Sequence, residues 1–219
     1  MILKDKRILI TAGPTWIPID RVRVISNIAT GETGIILAER LQKLKAKVTL
    51  LLGPVEACCL NRKIKLIRFI FFNELKHLIV KELKSRKYDI VIHSAAVSDY
   101  MPLRSCNQKV KSGIRKWRLI LSPTSKIINL IKKIDERLFL VGFKFEPDAD
   151  RDKLIKEAKG LISRSNLDLA VSNSINHNKY RAYVIKEKRI YGPVSSKQRL
   201  AKELIKIIGE AYGTTKINR

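Results

Sequence analysis

Much of the familiar machinery of functional sites is missing from this chain. Only three cysteines occur, with Cys58 and Cys59 adjacent and Cys106 alone. An odd count without framework spacing excludes a disulfide scaffold and predicts free thiols in a reducing compartment. The three histidines, His77, His93 and His177, have no metal-ligand spacing, and His93 reads as a satisfied core or strand-end residue. No Gly-x-Ser-x-Gly elbow and no Walker-type Gly-Lys-Ser/Thr appears. No signal-peptide core opens the chain, and apolar runs such as Phe69–Phe72 and Leu138–Val141 are too short to span a bilayer. The expectation is a cytosolic protein with no membrane association.

Acidic side chains are also scarce. The 219 residues carry 20 Asp and Glu against 45 Lys and Arg, a formal charge of +25. Such a charge suits either a nucleic-acid backbone, through counterion release, or small anionic substrates. The basic residues are spread along the whole chain rather than massed in a tail or stripe. No aromatic RNA-binding cluster or zinc-finger spacing accompanies them, so nucleic acid is the less favoured partner. A hydrophobic fraction of 45% is that of a globular protein with a real core.

What is present begins at Arg7. Arg7–Thr11 (RILIT) is a short apolar run that reads as a buried first strand. A dinucleotide fold turns from such a strand directly through Gly-x-Gly-x-x-Gly into its helix. Here the chain leaves through Ala12-Gly13-Pro14-Thr15 and runs from Trp16 to Thr30 before Gly31-Glu32-Thr33-Gly34 opens an amphipathic helix. A loop of that length after a parallel strand is costly to order and is usually functional. It carries Asp20, Arg21, Arg23, Ser26, Asn27 and Thr30, all hydrogen-bonding groups.

Further on, strands and helices alternate. The helix Gly34–Leu44 places Ile35, Leu37, Ala38, Leu41 and Leu44 on one face. Strands are predicted at Lys47–Leu52, Ile64–Ile70, Asp89–His93, Lys116–Leu121, Leu138–Phe143 and Asp168–Val171. Helices are predicted at Asn73–Lys87, Thr124–Ile134, Asp152–Ser163 and Ser196–Tyr212, and a hairpin at Ala182–Ile185 and Arg189–Tyr191. The pattern implies an α/β fold: a Rossmann-like, doubly wound, mostly parallel sheet with a small β-hairpin excursion. No repeat, low-complexity block or linker divides it, so residues 1–219 read as one domain.

Several predicted strand ends carry small or polar residues: Thr11–Thr15, Ser94–Tyr100, Gly142–Lys144 and Ser172–Asn173. In an open α/β sheet such ends line one crevice. Gly31 and Gly34 at a helix start offer backbone N–H groups to a phosphate, or serve only close packing. Asn27 suits loop capping or a ligand; Asp99 suits a turn, a sugar hydroxyl or a metal ion. Lys109 is either a solvated lysine or a loop cation that neutralises charge developing on a transferred group.

In order along the chain stand ILITAGPT (Ile8–Thr15), PIDRVRVISN (Pro18–Asn27), TGETG (Thr30–Gly34), VTLLLGPV (Val48–Val55), SAAVSDY (Ser94–Tyr100), QKVK (Gln108–Lys111), LVGFK (Leu140–Lys144) and NLDLAVSN (Asn166–Asn173). This ordered set resembles the phosphopantothenate–cysteine ligase family, which makes an amide between 4′-phosphopantothenate and L-cysteine in coenzyme A biosynthesis. The resemblance implies a nucleoside triphosphate co-substrate, CTP or ATP, accompanied by Mg2+, and an acyl-nucleotide intermediate. It also implies a homodimer whose sites are completed by the second protomer. Many relatives fuse the ligase behind a flavin-dependent decarboxylase; Met1 lies a few residues before the first strand, so the expectation is a stand-alone ligase without flavin.

Carried over by motif, Asn27 and Lys109 are the expected catalytic residues. Ala95, Asp99, Lys109, Ser125, Lys126 and Phe143 are expected at the nucleotide, and Arg23, Asn27, Thr30 and Gly31 at the substrate. Glu32 departs from the family's lysine, and Leu161 and Ser165 stand where many bacterial members have lysines. Arg164 is the expected neighbouring substitute in nucleotide binding. The rival readings are an NAD(P)-dependent oxidoreductase, against which the absent glycine fingerprint and absent Tyr-x-x-x-Lys count, and a basic nucleic-acid-binding protein.

Overall fold

The computed structural model describes residues 2–56, 60–85 and 87–217; Cys58 and Cys59 lie outside the described residues. The elements in order are β1 (Arg7–Ala12), β2 (Trp16–Pro18), β3 (Val24–Ser26), α1 (Glu32–Lys43), β4 (Lys47–Leu52), β5 (Lys65–Arg68), α2 (Phe72–Ser85), β6 (Ile90–His93), β7 (Tyr100–Pro102), β8 (Leu121–Pro123), α3 (Ile127–Ile134), β9 (Phe139–Phe145), α4 (Arg151–Ser165), β10 (Leu169–Asn176), β11 (Lys179–Lys186), β12 (Arg189–Val194) and α5 (Lys197–Ile217). No described helix is long and apolar enough to cross a membrane.

An eight-stranded sheet runs β12-β11-β10-β9-β6-β1-β4-β5. The pairs from β5 to β10 are all parallel, and β11 and β12 extend the edge antiparallel. Numbered by their order in the chain, the parallel strands follow the doubly wound sequence 3-2-1-4-5-6, with the reversal of winding between β1 and β6. Their central strands are apolar on both faces because helices cover both sides. Ile8 and Ile10 of β1 pack toward α1 and α5, with Leu37, Leu41, Leu204 and Ile208. Leu9 faces the other layer, where α2, α3 and α4 contribute Leu75, Ile79, Ile131 and Leu154.

Several expectations need correcting. The Trp16–Thr30 segment is not open loop, since β2 and β3 form a short antiparallel ribbon within it. The strand expected at Lys116–Leu121 is absent. Those residues are exposed, and only Leu121–Pro123 forms a strand, paired with β7. Alternating apolar residues do not hold a strand where no layer covers them. The helix after Thr124 begins at Ile127, with Lys126 extended at its cap. In α1, Ile36 is buried while Ile35 packs only partly against the core. Ser172-Asn173 is not a strand end. β10 continues to Asn176 and turns through His177 and Asn178, both at positive φ (45° and 61°), into β11. The antiparallel partner satisfies that polar stretch, so it needs no apolar run, and a two-residue turn with both φ positive matches strand twist.

Candidate active site at the switch point

The loops that follow β1 and β6 meet where the winding reverses. The Ser94 amide donates to the Thr11 carbonyl (3.1 Å), the Ala96 amide to the Gly13 carbonyl (2.9 Å), and the Thr15 amide to the Ala96 carbonyl (3.2 Å). Side chains reinforce this seam. Ser94 Oγ donates to the Thr11 carbonyl (2.7 Å), and the Ala95 amide donates to Thr11 Oγ1 (3.2 Å). His93 Nδ1 lies 2.9 Å from the same Thr11 hydroxyl, and burial pulls the imidazole down to about 4. His93 is thus a neutral, hydrogen-bonded core residue, as expected.

Onto this seam fall the residues singled out above. Asn27 Nδ2 donates to the Ala96 carbonyl at 3.1 Å, which draws the end of the β2–β3 ribbon over the crevice. The chain then enters α1 through Gly31, whose φ of 70° a β-carbon would strain and whose missing side chain leaves it against Gly13. Gly34 lies so close to β1 and β6 that a β-carbon would sit 2.5 Å from Ala12 Cβ and 2.8 Å from Ser94 Oγ. The structure shows the close-packing reading of the glycine pair, which seats α1 tightly against the end of β1. Thr30 is exposed beside it, its hydroxyl 3.4 Å from the Glu32 amide. Glu32 is half-exposed and neutralised by Lys197 of α5 at 2.6 Å, so its charge does not stand alone at the helix start.

On the far side of β6, Thr124 ties the start of α3 back to the β6 loop through the Asp99 carbonyl (2.9 Å) and the Ser98 carbonyl (2.7 Å). Lys126 pairs with the exposed Asp99 carboxylate at 2.5 Å, and Ser125 Oγ accepts from Lys76 of α2 at 3.3 Å. Asp99, Ser125 and Lys126 therefore form one cluster, to which sequence reasoning adds Lys76 only in hindsight. Phe143 sits half-buried near the end of β9, beside β6 through the His93–Gly142 pairing.

The remaining positions lie outside these two clusters of hydrogen bonds. Arg164 lies in the last turn of α4, a helix that starts beside the carboxyl ends of the strands and descends to their amino ends. Its guanidinium folds back along the helix over Gly160, and one turn earlier Leu161 lies with Ile128 of α3 around Gly142. Leu161 packs against the core there and Ser165 is buried. Lys109 is exposed on the segment joining β7 to β8. Arg23 is not free to reach across the crevice: it pairs with Asp20, donates to the Val110 carbonyl (3.3 Å) and lies 5.2 Å over the Trp117 ring.

Asp20, which the sequence marks only as one of the loop's hydrogen-bonding groups and not as a site residue, anchors this side. It is buried, and its carboxylate accepts the amides of Val22 (2.9 Å), Arg23 (2.8 Å) and Val110 (3.1 Å) besides the Arg23 guanidinium. Burial pushes its pKa up, but those donors outweigh burial and hold it at about 2. The available signal was an aspartate in Pro-Ile-Asp-Arg, a turn residue that accepts the amide two residues on.

Fold and site together define a doubly wound α/β protein with a polar crevice at its switch point, edged by a glycine-opened helix on one side and a cationic helix start on the other. The comparison with known proteins sharpens that class. A protein-family model described as the DNA/pantothenate metabolism flavoprotein C-terminal domain matches residues 3–212, and the chain belongs to this family. It is 38% identical to the coenzyme A biosynthesis bifunctional protein CoaBC of Thermococcus kodakarensis over 79% of this chain and 42% of that protein. With the CoaBC of Borreliella burgdorferi it shares 31% identity over 94% of this chain and 53% of the relative. The chain thus spans about half the length of the curated relatives it matches. Among solved structures, the DNA/pantothenate metabolism flavoprotein of Streptococcus pneumoniae superposes with a TM-score of 0.84 at 26% identity, covering 94% of this chain and 99% of that one. A Cab2 mutant in complex with phosphopantothenate-cysteine shares the fold at TM-score 0.74 and 18% identity.

Proposed function

We propose that residues 1–219 form one phosphopantothenate–cysteine ligase domain working in the cytosol. The observation that carries this reading is the Asn27 amide held on the Ala96 carbonyl, which brings the two ligand-facing loops of a switch point together beside the α1 start. In the reaction, a carboxylate oxygen of 4′-phosphopantothenate attacks the α-phosphorus of CTP or ATP and pyrophosphate leaves. The cysteine amine then attacks the acyl carbon of the acyl-nucleotide. The C–O bond to the nucleotide breaks, the amine loses a proton, and the nucleoside monophosphate departs. Each half-reaction builds negative charge on phosphate, so fixed donors and cations supply the catalysis.

Asn27, Thr30 and Gly31 hold the acyl-phosphate end of the substrate, and Arg23 shapes that side of the site through its loop. The Ala95 backbone, Asp99, Ser125, Lys126 and Phe143 take the nucleotide, with Lys126 exchanging Asp99 for phosphate. Lys109 neutralises the departing nucleotide. Among the described residues no three His, Cys, Asp or Glu side chains cluster to hold a metal ion. Magnesium accordingly fits here as the partner of the triphosphate, held by phosphate oxygens and water rather than by a protein cage, and it would screen their charge. Neither rival reading is favoured, since the β2–β3 ribbon stands where a dinucleotide fold turns directly into its helix.

The same reading includes a homodimer. Val22, Ile28, Leu103, Ile120 and Leu121 are all exposed on the β2–β3 and β7–β8 arms, an apolar concentration suited to a second copy. Two measurements test the proposal. Pyrophosphate should appear with phosphopantothenate and CTP or ATP, and amide should follow only when cysteine is added; no pyrophosphate with either nucleotide overturns the assignment. Sedimentation should show a dimer that Leu103→Asp with Ile120→Asp dissociates, and a monomeric parent protein would remove the dimer.

A further inference from the structure

The segment from Leu103 to Ile120 has little to hold it. Every residue in it is exposed except the half-buried Val110, and it forms no strand. Its base is closed by the Leu103 amide on the Ile120 carbonyl (2.9 Å). Among the described residues, the hydrogen bonds that tie positions 104–119 to the rest of the chain run to the β2–β3 ribbon alone. The Cys106 amide donates to the Ile19 carbonyl (3.1 Å), the Val110 amide to Asp20 Oδ2 (3.1 Å), and Arg23 to the Val110 carbonyl (3.3 Å). Two of these three converge on Asp20 and its partner Arg23, and both act at the residue next to Lys109.

We propose that Asp20 is a positioning residue that latches the 103–120 loop to the β2–β3 ribbon and thereby sets where the Lys109 ammonium is presented. The inference rests on the ligase reading for what Lys109 does, but the latch itself is a matter of Asp20 and its donors. An ionised carboxylate has about four lone-pair positions, and here four donors occupy them: three backbone amides and a guanidinium. Two of the amides come from the ribbon and one from the loop, so one buried charge fixes both pieces relative to each other. Arg23, held by the same carboxylate, closes the arrangement by gripping the Val110 carbonyl and the Trp117 face. A lysine on an uncovered loop contributes to a transition state only if its backbone is already placed, because positional freedom must otherwise be lost during the reaction.

The test is Asp20→Asn, which keeps the shape but turns one acceptor into a donor facing other donors. Val110→Pro is the second variant, removing the loop's own donor without touching the ribbon. Both should retain the parent circular dichroism, and Val110→Pro, which leaves Asp20 and Arg23 paired, should release pyrophosphate in the first half-reaction at close to the parent rate. Amide formation should fall by about 10- to 100-fold. In a Lys109→Gln background, Val110→Pro should cost less than about twofold more, since it acts through a group already removed. Trypsin should cut Asp20→Asn faster than the parent at Arg104, Lys109, Lys111 and Arg115. Additive losses in the double variant, or equal damage to both half-reactions by Val110→Pro, would overturn the positioning role. Unchanged tryptic cleavage would overturn the latch. Failure of the ligase reading shows separately, as absence of pyrophosphate from the parent protein, and leaves the cleavage comparison to decide the latch.

Discussion

Thr11 and His93 lie on neighbouring buried strands, their side chains bonded to each other and sealed between two helical layers. A few residues further along the same crevice, Leu103–Ile120 is exposed almost throughout and hangs from the β2–β3 ribbon by a few polar contacts. The first region owes its geometry to packing, which is dense and cooperative. The second is held by a few polar contacts, two of them through Asp20 and its partner Arg23, which are specific and vulnerable. The difference teaches that this site is half scaffold and half attachment. Stability and chemistry should therefore respond to different residues.

The strongest break in that comparison comes from the attached half. Lys109→Gln should lower cysteine incorporation by roughly a hundredfold to a thousandfold while the acyl-nucleotide still forms, because a cation facing developing phosphate charge acts mainly in the transition state. Its melting temperature should stay that of the parent. Lys111→Gln, a change two residues away on the same exposed segment, should be nearly silent in rapid-quench assays. Equal losses at the two positions would reduce the segment to a basic surface.

The scaffold half should answer in stability. Burial holds the His93 imidazole at about 4 against an ordinary 6.5. Between those values the unfolded chain binds a proton that the folded chain does not, so stability falls as pH drops through the window, by on the order of 3 kcal/mol. Asp20, held at about 2 against 3.8, removes stability only at more acid pH, below the His93 window. Urea midpoints measured from pH 7 to pH 4 should fall steeply in the parent and less steeply in His93→Gln. Parallel curves for the two proteins would place the acid sensitivity elsewhere.

The smallest expected effect lies at the junction of the two halves. Gly34→Ala gains roughly 1 kcal/mol of helix propensity but adds a methyl against Ala12 and Ser94. Ala12 ends a central strand and has little room to shift, so overpacking of about 1–3 kcal/mol should win. The melting temperature should drop by about 2–4 °C for each net kcal/mol. A rise instead would show that α1 can move away from the crevice without cost.

Much of this was legible in the chain. RILIT, KVTLLL and DIVIH are apolar on both faces, which only strands covered on both sides require, and they form β1, β4 and β6. The small and polar residues after them mark the crevice, and Asn27, Ala95 and Asp99 do gather there. Lys116–Leu121 alternates like a strand, yet alternation specifies a face only when a second layer exists to bury it.

By itself, then, the sequence determined which segments are central strands, that they wind in parallel, and that one edge of the sheet carries the small and polar residues. Burying apolar runs and alternating them with helices leaves few other arrangements. Only the tertiary structure decided how the Lys109 loop is held and why Glu32 is tolerated. Those outcomes depend on Asp20 meeting Val110 and on Glu32 meeting Lys197. Each is a contact between distant positions, and a hydrogen bond or ion pair leaves no periodic trace in the chain that makes it.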